Sequence, residues 1–139
     1  KARSCDMKVH HVGIVVKDIE KACLLYRGLG YVQVDSIIED NVQHNRLLFL
    51  KNGELLVELI EPINSSSPVY NPRNLGYHHI CYEVEDLDKA IFSFEDAGLG
   101  KIFTDKITAP AFNGRKVVFA ILKNGTIIEL LAGDVDVRS

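Results

Sequence analysis

Apolar residues fall along this chain in short β-branched runs, and between them in two stretches where they recur every three or four positions. Val9 to Val16 and His79 to Val84 read as strands, and each is soon followed by an aspartate, Asp18 or Asp86, suited to cap a helix. In the first helical stretch Ile19, Ala22, Cys23 and Tyr26 share one face, and Gly28 and Gly30 stop it. The second, Leu87 to Ala97, copies this pattern. Three strands are predicted after each helix: Tyr31 to Glu39, Arg46 to Leu50 and Leu55 to Ile60, then Lys101 to Thr104, Lys116 to Leu122 and Thr126 to Leu131. Asn52-Gly53 and Asn124-Gly125 mark the tight turns between the last two strands of each set, since both residue types tolerate positive φ.

These elements are two copies of one unit. His10-His11-Val12-Gly13 through Ala22 lies over His78-His79-Ile80-Cys81 through Ala90 at a constant offset of 68, and Lys51-Asn52-Gly53 lies over Lys123-Asn124-Gly125 at an offset of 72. The fold class expected is α+β, two tandem βαβββ modules over residues 7–63 and 77–133. A polar, breaker-rich connector joins them over 64–76, with Ser65-Ser66-Ser67, Pro68 and Pro72. The whole of 1–139 reads as one domain, because 139 residues at 47% hydrophobic content suit a single core.

Four polar residues interrupt this pattern. Side chains alternate faces along a strand, so His11 shares a face with Val9 and Gly13. Glu58 shares its face with Leu56 and Ile60, and Glu129 with Ile127 and Leu131. A carboxylate buried in such company costs on the order of several kcal/mol unless a cation or a hydrogen-bond network meets it. A lone strand histidine or glutamate has a bland structural reading. The repeat, however, superposes His11 on His79 and Val57-Glu58-Leu59 on Ile128-Glu129-Leu130. Two imidazoles and two carboxylates brought together would form a metal site of mixed nitrogen and oxygen donors, suited to Zn²⁺, Ni²⁺, Co²⁺, Mn²⁺ or Fe²⁺. Four protein ligands on an octahedral ion leave two positions open, which is a catalytic arrangement. His10 and His78 repeat on the opposite face and read as packing or supporting groups, and His44 carries no signal.

Charge and composition narrow the partners. The net charge is −3 and no Lys/Arg run occurs, so a nucleic-acid or anionic-membrane surface is not expected. No apolar stretch approaches the roughly 20 residues that span a bilayer, and Lys1 to Asp6 lack the apolar core of a signal peptide, so a cytosolic protein is expected. Cys5, Cys23 and Cys81 are odd in number and widely spaced, which argues against a disulfide framework or thiolate zinc site; Cys23 and Cys81 read as core residues.

From Val9 to Leu131 the chain resembles the vicinal oxygen chelate superfamily, which includes glyoxalases, bleomycin-resistance proteins and dioxygenases. The marks are His10-His11-Val12-Gly13-Ile14-Val15-Val16-Lys17-Asp18-Ile19 with Tyr26, Val57-Glu58-Leu59, Gly76-Tyr77-His78-His79-Ile80 and Ile128-Glu129-Leu130-Leu131. The resemblance implies a curved mixed sheet around one divalent metal held by His11, Glu58, His79 and Glu129, and a homodimer. It further implies a lyase or isomerase of glyoxalase I (lactoylglutathione lyase) type, moving a proton through a metal-bound enediolate on a hemithioacetal, an acyl-CoA or a related 1,2-dioxygenated compound. A methylmalonyl-CoA epimerase-like enzyme is the alternative, favoured by Gly76 to Val84. Against it, such epimerases usually carry glutamine where Glu58 stands and a strand glutamate near Arg46. A non-enzymatic antibiotic-binding protein is a further alternative, disfavoured by the complete ligand set. An extradiol dioxygenase, with two histidines and one carboxylate, is disfavoured by Glu58.

Glu129, with Glu58 as the other candidate, is expected to carry the proton. Asn45 and Arg46 at the start of one strand, and Phe112 and Arg115 around the loop Thr104 to Arg115, are the candidate substrate contacts; that loop could close over a ligand.

Overall fold

Asp18 and Asp86 each start a helix by accepting a backbone N–H three residues on, from Lys21 and Lys89, both at 3.1 Å. The computed structural model describes residues 7–73 and 75–133; the cysteine and terminal segment read at Lys1 to Asp6 lie outside the described residues. Residues group into two compact units, one of 11–78 and one joining residues up to 10 with those from 79 onward.

In the first sequence module the order is β1 (Lys8–Val15), α1 (Ile19–Gly28), β2 (Val32–Gln33), β3 (Ile38–Asp40), β4 (Asn45–Asn52) and β5 (Leu55–Pro62). Its strands lie in the order β2-β4-β5-β1, with β3 also on β4. β5 runs antiparallel to β4 and parallel to β1. The second sequence module repeats this with β6 (Gly76–Val84), α2 (Leu87–Asp96), β7 (Gly100–Ile102), β8 (Ile107–Ala109), a 3-10 turn at Pro110–Phe112, β9 (Arg115–Leu122) and β10 (Ile127–Ala132). Its order is β6-β10-β9-β7, with β8 on β9 and β6 parallel to β10. The fold is α+β, two βαβββ modules whose strands are mixed parallel and antiparallel.

In the first module the expected strand Tyr31 to Glu39 is broken in two, and in the second an additional strand, β8, forms inside the expected loop. Between β2 and β3, Asp35 and Ser36 leave the ladder because the Asp35 carboxylate accepts the Ser36 N–H at 2.8 Å and Gln33 Nε2 donates to the Asp35 carbonyl at 2.9 Å. Between β7 and β8, the Thr104 hydroxyl accepts the Phe119 N–H at 3.0 Å in place of a backbone carbonyl. The loop expected over Thr104 to Arg115 is therefore largely a strand and a 3-10 turn, and Ala109 and Phe112 pack on Cys81, Val117 and Leu131. The first hairpin turn is also displaced by one residue. Asn52 pairs with Leu55, so the two-residue loop is Gly53-Glu54, with Gly53 at φ +61°.

Each helix covers one face of its module's sheet. α1 buries Ile19, Ala22 and Cys23 against Leu48, Leu50, Val57 and Leu59; Tyr26, expected on that face, packs there half-buried. α2 buries Leu87 and Phe94 against Val118, Ala120, Ile128 and Leu130. Ten-residue helices are marginal alone, and fully burying one large apolar side chain gives about 1.5–3 kcal/mol, so docking is what holds them. At the margin of the first contact Arg46 donates to Glu20 of α1 at 2.6 Å and to Glu61 of β5 at 2.7 Å. This guanidinium holds the Glu20 carboxyl below the usual carboxylate range. The pair's contribution is thus complete above that range and fades as the pH falls through the lowered value. Among the described residues no helix is long and apolar enough to cross a membrane.

Gly100 opens β7 so near β9 that an added Cβ would collide with the Ile121 carbonyl oxygen. Gly100→Ala is expected to lower stability by about 1–3 kcal/mol, read as a lower denaturant midpoint with unchanged slope; an unchanged midpoint would show that the close approach is relieved at no cost.

Candidate metal centre

Parallel register builds the same half-site twice. Val12 lies opposite Val57 and Gly13 opposite Glu58, so Glu58 stands on the face that carries His11, one pleat along and beside a residue with no side chain. His11 Nε2 lies 3.2 Å from Glu58 Oε1, and both residues are buried. In the second module Cys81 lies opposite Glu129, and His79 Nε2 lies 3.0 Å from Glu129 Oε1, again with both residues buried. Across the adjoining antiparallel strand Phe49 is registered with Glu58 and Phe119 with Glu129. Phe49 meets the His11 imidazole edge to face with centroids 5.6 Å apart, and Phe119 meets His79 in the same way at 5.4 Å. The helix-covered residues of these strands point the other way.

These pairs fit a divalent ion. A neutral imidazole nitrogen and an ionised carboxylate oxygen both present lone pairs, so they tolerate such separations only with a proton or a cation between them. Metal–nitrogen and metal–oxygen bonds of about 2.0–2.2 Å place two adjacent octahedral ligands about 3 Å apart, which matches 3.2 and 3.0 Å.

The other residues singled out in the sequence fall in different places. Asn45 is buried on the same face of β4 as Phe49, and its side-chain oxygen accepts from the Ser67 hydroxyl at 2.6 Å. Arg46, also expected as a substrate contact, is on the opposite face, toward α1, where it donates to Glu20 and Glu61. Phe112 packs with Cys81, Val117 and Leu131 and meets the His10 ring edge to face at 5.4 Å. Arg115 shares the face of Glu129; it donates to the Ala132 carbonyl at 2.7 Å and to the Glu83 carboxylate. His78 is half-buried on β6, and His44 takes φ 60° in the turn before β4.

Three contributors were not legible beforehand. Counting back from each glutamate across Asn52-Gly53 or Asn124-Gly125 as a two-residue loop leads to Leu47 and Ala120, so Phe49 and Phe119 emerge only from the turns as they form. Asp40, buried on the Asn45 face of β3, takes the Val42 and Gln43 amides on Oδ1, both at 2.9 Å.

The repeated βαβββ frame and the buried His–Glu pair in each module define a class, proteins in which paired modules present imidazole and carboxylate donors from the first and last strands. A model of the Glyoxalase/Bleomycin resistance protein/Dioxygenase superfamily matches residues 10–119, and the chain belongs to that superfamily. An ethylmalonyl-CoA/methylmalonyl-CoA epimerase of Cereibacter sphaeroides is 31% identical over 130 residues, covering 88% of this chain and 96% of that one. The mitochondrial methylmalonyl-CoA epimerase of Mus musculus is 28% identical over 130 residues, covering 88% of this chain and 71% of that one. Among solved structures, a methylmalonyl-CoA epimerase from Mycobacterium tuberculosis superposes with a TM-score of 0.80 at 21% identity over 100% of this chain and 97% of that one. A hypothetical protein from Bacillus halodurans gives 0.81 at 24% identity over 93% of this chain and 96% of that one. The chain is an enzyme of the isomerase type. The expectation of a glyoxalase I-type lyase as the leading reading is corrected by these likenesses, which favour the epimerase alternative.

Edge-to-face ring contacts are worth about 0.5–1.5 kcal/mol, so Phe49→Leu and Phe119→Leu are each expected to weaken divalent-ion affinity about two- to tenfold in calorimetric titration. Arg46→Met should leave that affinity unchanged; an equal loss in Arg46→Met would show that the ring contacts carry no special weight.

Proposed function

We propose that this protein is a divalent-metal-dependent acyl-CoA epimerase, acting on the carbon between the thioester carbonyl and the carboxylate of methylmalonyl-CoA or a close homologue. The observation that carries it is the buried His–Glu pair repeated on equivalent strands of both modules, in a chain similar to methylmalonyl-CoA epimerases over 88% of its length. His11, Glu58, His79 and Glu129 would hold one ion together, supported by their placement in the repeat and by the family resemblance. When bound, such an ion supplies Lewis-acid charge to substrate oxygens.

The chain's own residues supply the proton transfer. Inversion at carbon requires removing a proton on one side and returning one on the other. Glu129 Oε takes the proton in one direction and Glu58 Oε delivers one from the opposite side, so each module contributes one carboxylate. The face of β4 that carries Phe49 offers Asn45 and Leu47, and no acid, to share this task. Glu58, standing where these epimerases usually carry glutamine, supplies the carboxylate that β4 lacks. Leu47, Phe49, Val117 and Phe119 are buried on these faces, and they exclude water from the carboxylates.

Metal-loaded protein in deuterated buffer is expected to exchange the C2 proton of methylmalonyl-CoA, followed by mass spectrometry. Glu129→Gln and Glu58→Gln should each slow interconversion about 10²–10⁴-fold, while each variant still washes deuterium into one epimer. Turnover of the methylglyoxal–glutathione hemithioacetal, with no exchange in methylmalonyl-CoA, would sink this proposal.

A further inference from the structure

Three Asn-Gly pairs occur in the chain, at Asn52-Gly53, Asn113-Gly114 and Asn124-Gly125. Glycine carries no Cβ, so its nitrogen can approach the Cγ of the preceding asparagine without hindrance. The approach also needs that nitrogen unengaged, because an N–H held by a carbonyl is restrained from losing its proton and from turning toward Cγ. All three asparagines are exposed, so access to water does not separate them. Their hydrogen bonding does.

In the second module both glycine amides are engaged. The Gly114 N–H donates to the Ala109 carbonyl at 3.0 Å, closing the turn in which Asn113 takes φ 58°. The Gly125 N–H donates to the Leu122 carbonyl at 2.9 Å. Asn124 is held as well, its side-chain oxygen accepting the Thr126 N–H at 3.1 Å and the Thr126 hydroxyl at 2.8 Å. The first module differs. Asn52 ends β4 in a pair with Leu55, and Gly53 opens the two-residue loop with φ +61°. Among the described residues the Gly53 N–H meets no carbonyl and the Asn52 side chain has no hydrogen-bond partner. A Cβ built on Gly53 would meet nothing within 4 Å, so the space around it is open.

We propose that Asn52 is a site of spontaneous deamidation, left reactive by the fold while Asn113 and Asn124 are protected. The Gly53 nitrogen gives its proton to hydroxide and attacks Asn52 Cγ. The N–Cγ bond forms, the Cγ–Nδ2 bond breaks, and Nδ2 takes a proton from water and leaves as ammonia. One water then opens the resulting succinimide at either carbonyl, giving aspartate or isoaspartate; no oxidant or cofactor takes part. Both products add a carboxylate next to Gly53-Glu54. Isoaspartate also carries the main chain through the side-chain methylene, lengthening a loop whose two-residue form sets Phe49 opposite Glu58.

The test follows the full chain, folded and in guanidinium chloride, at mildly alkaline pH, where hydroxide speeds the attack. Peptide mass spectrometry reads the asparagine-to-aspartate mass gain at each pair, and methylation by a protein-isoaspartate methyltransferase reads isoaspartate. Folding is expected to slow conversion of Asn113 and of Asn124 by a factor about tenfold or more greater than it slows Asn52, the order of protection that one engaged amide gives. Asn52→Gln should remove the isoaspartate signal of the folded chain, and Asn124→Gln should leave it. A smaller margin between the sites, or isoaspartate in the folded chain that survives Asn52→Gln, would overturn the assignment.

Discussion

Parallel pairing of the first and last strands within each module is the constraint on which both half-sites depend. Because Gly13 is registered with Glu58 and Cys81 with Glu129, each glutamate shares a face with the histidine two residues earlier on the partner strand. Strand side chains alternate, so a slip of one residue would turn each glutamate toward the helix-covered core among Ile19 and Leu59, or Phe94 and Leu130. The buried members of those clusters are aliphatic and aromatic side chains with Cys23, and none of them carries a positive charge. The burial that drives α1 and α2 onto one face thus also fixes which face receives the polar residues, and the small Gly13 and Cys81 leave room for the glutamates beside them.

Much of this was legible in the chain. Capping aspartates and the three-and-four spacing located both helices, because short-range hydrogen bonds and one buried face are local properties. The repeat located the histidines and glutamates, because two equivalent strands place equivalent residues alike whatever the details of register. What escaped depended on pairing between distant segments. Arg46 and Asn45 are neighbours in sequence, yet one seats α1 through Glu20 and Glu61 while the other ties down the connector. A choice between them requires knowing that Phe49, not Leu48, faces Glu58. The turn lies one residue later than the Asn-Gly pair suggests, which changes the residue opposite Glu58 from Leu47 to Phe49 on the same face. The breaks between β2 and β3 and between β7 and β8 escaped for a related reason, since Asp35, Ser36 and Thr104 divert hydrogen bonds that periodicity assigns to the ladder.

The position of Arg46 also changes the functional argument. While it was aligned with a strand glutamate of the epimerases, it looked like an acid replaced by a base. On the face toward α1 it replaces nothing at the site. The residues of β4 that do share the face of Glu58 are Asn45, Leu47, Phe49 and, exposed near the far end of the strand, Lys51; none of them is a carboxylate. Carboxylates on the two relevant faces are then accounted for one by one among the described strands. Asp40 is occupied in closing the turn before β4, and Glu83 is held by Arg115, itself anchored to the Ala132 carbonyl. Glu58 and Glu129 remain, one per module, each beside an imidazole and under a phenylalanine ring. Inversion at carbon asks for a proton carrier on each side of the reacting centre, and under the proposed function each copy of the duplicated module would supply one carboxylate to that task.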